Sequence, residues 1–334
     1  MKLNPSFATS VANIARAARS LALLSGLLCA ATTPAQDFPV KPLRLVLPFA
    51  PGGSTDVIGR AVGMKLGEFL KQPVLIDNRA GAAGTVGHLF VAKSSADGYT
   101  ILMAGSGMAT FSVFASGLSY DPIADFAPIG TLADIPIGIF AGMQTPFRSI
   151  GDLIKAAKAE PGKYSYGTPG VGSSANLTCE ILKFRTGIDL VHVPYKGNAP
   201  SVNDLMGGQI PLLCSNLAGV LPNVKAGRMR PLAVTGTART ASIPDVPTFR
   251  ETGIASLDNG TWMGLTVPVK TPAAIVTRMG VDLTRVLRSA DVLERFEAAG
   301  AAAMIHSPQE YTERLLRLRD DLEDFRKRTG FKLD

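Results

Sequence analysis

Leu45-Val-Leu-Pro-Phe-Ala-Pro-Gly-Gly-Ser-Thr-Asp56 runs from an apolar strand through a Gly-Gly turn directly into a helix start. Val46 and Leu47 extend the apolar run that begins at Leu43, while Pro48 and Pro51 stop it and set a rigid turn. Ser54, Thr55 and Asp56 are helix-capping residue types, and Ile58, Val62, Leu66, Phe69 and Leu70 then recur on one helical face. The unpaired N–H groups of such a first turn, together with the positive end of the helix dipole, suit a carboxylate or a phosphate. A side chain at Gly53 is therefore expected to obstruct close backbone approach and to meet a special backbone angle.

The same strand, turn and helix pattern repeats along the chain, which predicts an α/β fold with mostly parallel sheets. Strands are expected at 42–47, 73–76, 100–103, 135–140, 163–166, 190–193, 210–214 and 230–234. Helices are expected to start near Ser54, Thr85, Ser149, Ser173, Ala199, Leu217, Thr271, Ala290 and Ser307. Thr271-Pro272 and Ser307-Pro308 each place a cap residue before a proline suited to the first helical position, and Ser307 with Glu310 forms a capping box. Gly105-Ser106-Gly107 and Thr168-Pro169-Gly170-Val171-Gly172-Ser173-Ser174 are two further Gly-rich turns at strand ends, where α/β sheets place ligands.

Residues 1–35 read as a signal peptide. Lys2, Arg16 and Arg19 precede a short apolar segment from Leu21 to Ala31, and Thr33-Pro34-Ala35 offers a cleavage site. The segment is too short to span a bilayer, so a periplasmic location with cleavage after Ala35 is expected. The formal net charge of the 334-residue chain is +7, and cleavage removes three positive charges with no negative one. What remains is a mild bias towards anions, and the densest basic run, Arg314 to Arg328, alternates with acids as a solvated helix face does. Nucleic acid is not an expected partner.

Enzymatic chemistry has little support in the residues. No G-x-S-x-G occurs, and His88, His192 and His306 stand far apart without a carboxylate or cysteine at ligand spacing, so neither a catalytic nor a metal site is expected. Gly170-x-Gly172-x-x-Ala175 approaches a dinucleotide fingerprint, but Pro169 and Ser173-Ser174 suit an anion-binding turn, and an exported chain seldom meets NAD. No cofactor is implied. Trp262 is read as packed core before ligand wall. In the helix opened by Ser173, Leu177, Ile181 and Phe184 read as the inward stripe, which points Cys179 away from Cys214 and leaves both thiols free.

Taken in order, Pro48-Phe-x-Pro-Gly-Gly-x-Thr-Asp56, Asp77-Asn-Arg79, Asp97-Gly-Tyr-Thr100, His192-Val-Pro-Tyr-Lys-Gly197, Gly207-Gly-Gln209, Leu232-Ala-Val-Thr235 and Pro244-Asp-Val-Pro-Thr248 make a pattern that resembles the Bug family. These are periplasmic solute receptors of tripartite tricarboxylate transporters. The resemblance implies a type II periplasmic binding-protein fold, two α/β lobes with a hinged ligand cleft, residues 36–134 and 238–334 forming lobe 1 and 135–237 lobe 2. It implies capture of a small carboxylic acid and delivery to the membrane permease subunits; a sensor that docks to a kinase, or a periplasmic enzyme of carboxylic acids, is the alternative. Carried over by position, the ligand-binding residues are Phe49, Ala50, Pro51, Gly52, Gly53, Ser54, Thr55, Asp56, Gly105, Ser106, Gly107, Thr168, Gly170, Gly172, Ser173, Ser174, Tyr195 and Asn216. Lys196 is the only cation near these loops, and two departures from the family pattern, Cys214-Ser215 and Thr168-Pro169-Gly170, fall in the second lobe.

Overall fold

Two sheets divide the strands between them, and the dividing point is Pro136. The computed structural model describes residues 38–254 and 260–332, so the expected signal peptide lies outside the described residues. The first sheet has the order β11-β4-β10-β3-β1-β2, with β1 Leu43–Leu47, β2 Val74–Asn78, β3 Thr100–Gly105, β4 Phe126–Ile135, β10 Thr261–Pro268 and β11 Ala302–Ala303. The second has the order β7-β6-β8-β5-β9, with β5 Ile137–Gly142, β6 Ser165–Thr168, β7 Val191–Pro194, β8 Leu212–Asn216 and β9 Met229–Val234. Among the described residues no helix is long and apolar enough to cross a membrane.

The single strand expected over 135–140 is two strands. Proline cannot donate to a ladder, so pairing stops at Pro136 and the chain passes from one sheet to the other there. The Pro136 carbonyl instead accepts from Leu217 N at 2.8 Å. Passage between sheets also corrects the expectation of mostly parallel pairing. β1 pairs in parallel with β2 and β3, and β6 with β7 and β8. The strands at the passage run the other way: β10 is antiparallel to β3 and β4, and β5 to β8 and β9.

β10 escapes a periodicity reading because all eight of its residues are buried, which removes the alternation of a half-exposed strand. β4 escapes because Pro128 and Gly130 interrupt it.

Around the first sheet lie α1 Ser54–Leu70, α2 Thr85–Ala92, α3 Gly107–Phe114, α8 Ala273–Leu287, α9 Ala290–Ala298 and α10 Pro308–Thr329. Around the second lie α4 Ile150–Ala159, α5 Ser174–Thr186, α6 Asn198–Met206 and α7 Leu221–Lys225. The Ser307–Glu310 capping box forms as expected, and Ser149 makes another with Asp152. Thr271 does not cap: Pro272 holds the extended cap position of α8, and Thr271 is buried without a side-chain partner.

Helix α5 has two buried faces, and this overturns the stripe read from its sequence. Ala175, Cys179 and Leu182 face its own sheet, in one cluster with Tyr166 and Cys214. Leu177 and Ile181 join the cluster of the other sheet, with Trp262 and Tyr311, while Phe184 is half exposed against Phe325. The two thiols therefore lie in one buried cluster, where Cys214 Sγ donates to Ala175 O at 3.0 Å. Both are free, and burial pushes the Cys179 thiol well above its ordinary range. Reactivity is thus limited by enclosure and protonation rather than by distance.

Candidate functional site

Four helix starts converge on one cavity. Its wall takes Gly53, Ser54 and Thr55 from α1, Ser106 and Gly107 from α3, Ser173, Ser174 and Ala175 from α5, and Asn198 from α6, with Asn216 at the end of β8. The first two helices belong to one sheet and the next two to the other. N–H groups in a first helical turn have no intrahelical partner, so each start brings donors and the positive end of a dipole to the same space.

The first turn is braced from behind. Asp56 receives Gly52 N at 3.0 Å, Arg60 Nε at 2.9 Å and Asn78 Nδ2 at 3.0 Å, and Asn78 Nδ2 also reaches Phe49 O at 3.1 Å. Burial alone would raise the Asp56 carboxyl, but these donors and the Arg60 charge bring it below its ordinary value. It holds the turn rather than facing the cavity. The positive φ lies at Gly52, +82°, while Gly53 sits at φ −87° and ψ 179°, a conformation open to any residue. The special angle expected at Gly53 thus belongs to its neighbour.

At the second start, Ser106 N donates to Trp262 O at 3.1 Å, which ties the turn to β10. Gly105 is required there by space. A Cβ on it would lie 2.0 Å from the Trp262 carbonyl oxygen.

In the other lobe, Ser173 caps α5 by accepting from Asn176 N at 3.2 Å, and Gly172 N donates to Asn176 Oδ1 at 3.0 Å. Thr168 is turned to His192 Nε2 at 2.7 Å and to the Gly170 backbone. Tyr195 donates to Asp204 at 2.6 Å.

Polar contacts cross between the lobes at the cavity. Ser106 Oγ and Ser174 Oγ are 3.0 Å apart, and Ser54 Oγ accepts from Asn216 Nδ2 at 3.1 Å and, more weakly, from Asn198 Nδ2 at 3.5 Å. Thr261 Oγ1 donates to the other end of the Asn216 amide at 2.9 Å. Ala83, one of two successive alanines with positive φ, abuts the Gly170 turn, where an added methyl would lie 3.2 Å from Ala83 Cα.

Of the residues named from sequence, Phe49, Gly53, Ser54, Thr55, Gly105, Ser106, Gly107, Ser173, Ser174 and Asn216 line the cavity. Ala50, Pro51, Gly52, Asp56, Thr168, Gly170, Gly172 and Tyr195 do not. The first of these lie where the lobes touch, since a methyl on Gly197 would stand 3.2 Å from Ala50 N and one on Gly52 3.7 Å from Ala199. Sequence reading missed Met103, Phe111 and Met263 of the apolar wall; Trp262, read as core before ligand wall, is in the core, edge-on against Tyr311 at 4.8 Å, and lines the cavity as well. It also missed His88.

Among the described residues no Asp, Glu, Lys or Arg lines the cavity, and Lys196 is exposed outside it. His88 is neutral there: burial lowers it from 6.5 to about 4, against a smaller opposing pull from its hydrogen bond to Gly84. An unfolded chain binds that proton near 6.5, so the stabilisation is complete above this value and is lost as pH falls towards 4. From one pKa unit being about 1.4 kcal/mol, His88 should withdraw about 2–3 kcal/mol between pH 7 and pH 4.5. Urea unfolding at the two pH values should give a smaller acid loss for His88→Phe by that amount; equal losses would contradict the buried neutral ring.

A family model described as tripartite tricarboxylate transporter family receptor matches residues 58–321. Protein BugT of Bordetella pertussis is 34% identical over 283 residues, covering 84% of this chain and 87% of BugT. The solved structure of the periplasmic binding protein BugD superposes with a TM-score of 0.85 at 30% identity, covering 88% of this chain and 99% of BugD. Rpa4515 of R. palustris, solved with adipate, gives a TM-score of 0.84 at 33% identity, covering 88% and 98%. The fold is that of the periplasmic binding proteins.

Proposed function

The chain belongs to the tripartite tricarboxylate transporter receptor family, and from that premise we propose that it captures a small carboxylic acid between two lobes and hands it to the membrane permease. We take residues 36–134 with 238–334 as one lobe and 135–237 as the other. The observation that carries this reading is the convergence of four helix starts, two from each lobe, on a cavity that no charged side chain lines among the described residues. An anion can be held there by N–H and hydroxyl donors, each charge-assisted bond contributing roughly 1.5–3 kcal/mol. Three or four such bonds, less the entropy of immobilising the ligand, suit micromolar affinity, about −8 kcal/mol. Because the donors come from both lobes, ligand binding favours the closed arrangement.

Ser106 and Ser174 hydrogen-bond to each other rather than to a base, which supports binding without turnover. Mass spectrometry of small molecules released from freshly purified protein tests the proposal. A carboxylic acid in stoichiometric amount is expected; a consistently neutral or cationic ligand would contradict it.

The family acts in the periplasm, and we propose that export removes residues 1–35. The intact mass of protein from the periplasm should then correspond to a chain beginning at Gln36; a retained leader would reject the cleavage site.

A further inference from the structure

A carboxylate brings only hydrogen-bond acceptors, yet two buried atoms of the cavity wall residues are acceptors themselves. Asn198 Oδ1 and His88 Nε2 have no hydrogen-bond partner among the described residues. The Asn198 amide can reverse to offer Nδ2, so it places no demand on the ligand. His88 has no such freedom. Its Nδ1 lies 2.8 Å from the Gly84 carbonyl oxygen, a contact that fixes the proton on Nδ1 and leaves the lone pair of the neutral ring on Nε2. The side chain is 4% exposed, and its ring is enclosed by Phe111, Tyr120 and Phe126 at centroid distances of 5.6, 6.3 and 6.0 Å. None of the three serves it as a donor: Tyr120 stacks on the ring, and its own hydroxyl is unpartnered. A ligand that donates to Nε2 is thus favoured over an otherwise equal ligand that cannot.

We propose that His88 is a specificity-determining residue, accepting a hydrogen bond from a hydroxyl or N–H group of the ligand, so that the acid bound here carries such a donor beside its carboxylate. This rests on the carboxylate reading above and adds the second polar group of the ligand to it. Neighbouring Phe49, Met103 and Phe111 present apolar surface to the rest of the molecule.

Matched acids differing by one hydroxyl test it on the mature chain: malate and succinate, lactate and propionate, 4-hydroxybenzoate and benzoate. In the pair that binds best, calorimetry should show the hydroxylated acid at least about tenfold tighter than its partner. His88→Phe, whose ring suits the aromatic enclosure, should bring the two within about threefold by weakening the hydroxylated acid alone. Equal binding of the pair by the wild type, or an undiminished preference in the variant, would overturn the role of His88 while leaving carboxylate binding intact. Failure of the wild type to bind any of the six acids would instead overturn the carboxylate reading, and this inference with it. Long-range ¹H–¹⁵N spectra of the wild type decide the matter without a variant. The His88 Nε2 signal should move as an acceptor does when the best-binding hydroxylated acid is added, and a signal that stays still or gains a directly bound proton would overturn the proposal.

Discussion

Replacing Gly105 with alanine is expected to cost the protein its first sheet. The added Cβ would lie 2.0 Å from Trp262 O and 2.9 Å from Met263 Cα, both backbone atoms of β10. β10 cannot retreat without breaking its pairing with β3, Gly105 opposite Met263 and Ala104 opposite Gly264, and the Ser106 N–H to Trp262 bond. Overpacking against side chains costs about 1–3 kcal/mol; against paired backbone the loss should reach about 5 kcal/mol, the range of exceptional single substitutions. At about 2–4 °C per kcal/mol for a chain of this class, melting should fall by more than about 10 °C, or soluble protein should be lost. Gly107→Ala is the control, since its Cβ would meet only the Phe111 ring at 3.9 Å. Thermal melting of both checks the argument, and a Gly105→Ala protein that melts like the control would contradict it.

Gly53→Val should do the opposite, sparing the fold and abolishing the site. The backbone at Gly53 is an ordinary extended one, so valine brings no strain there. Its Cβ would stand 3.5 Å from Asn198 Cβ and 3.7 Å from Asn198 N. The two methyls of valine reach further, into the start of α6 on the opposite lobe. Closure is then obstructed by about the radius of a methyl group, and donors from the two lobes no longer converge on one ligand. Affinity for the acid recovered from the protein should fall by about a hundredfold or more, some 3 kcal/mol, with the melting temperature of the free protein nearly unchanged. An affinity within about threefold of wild type would show that the lobes do not need this approach.

What could be read from sequence was what local chemistry dictates. Pro48, Gly52 and Ser54 announce strand end, turn and helix start in consecutive residues, and Ser307 with Glu310 announces a cap that the structure contains. Signals of this kind, near Ser54, Ser173 and Ala199, located three of the four helix starts that line the cavity, and the one at Gly107 was not expected. Elements whose surroundings are long-range were not legible. β10 is buried on both faces, α5 packs against both lobes, and Pro136 hides a passage between sheets within one apolar run. The apolar half of the cavity was hidden for the same reason: Trp262, Phe111 and His88 lie within a strand or helices whose sequence reads as core, and only the fold turns part of each towards the cavity. Asp56 and Tyr195 show the converse. Their residue types suggest ligand contacts, yet Asp56 spends its polar atoms on its own turn, Arg60 and Asn78, and Tyr195 its hydroxyl on Asp204.

The central claim is that neutral donors, not a cation, hold the ligand's charge. Lys196 is exposed and outside the cavity wall, and the donors around the cavity are enclosed between the lobes, where salt scarcely screens them. Calorimetry with the acid recovered from the protein, on wild type and on Lys196→Ala, each at about 0.01 M and 1 M salt, tests this most directly, since the screening length shrinks from roughly 30 Å to 3 Å over that range. The account predicts four dissociation constants within about threefold of one another. A steep weakening of the wild type with salt, together with collapse of binding in Lys196→Ala, would contradict it and identify a cation-clamped site.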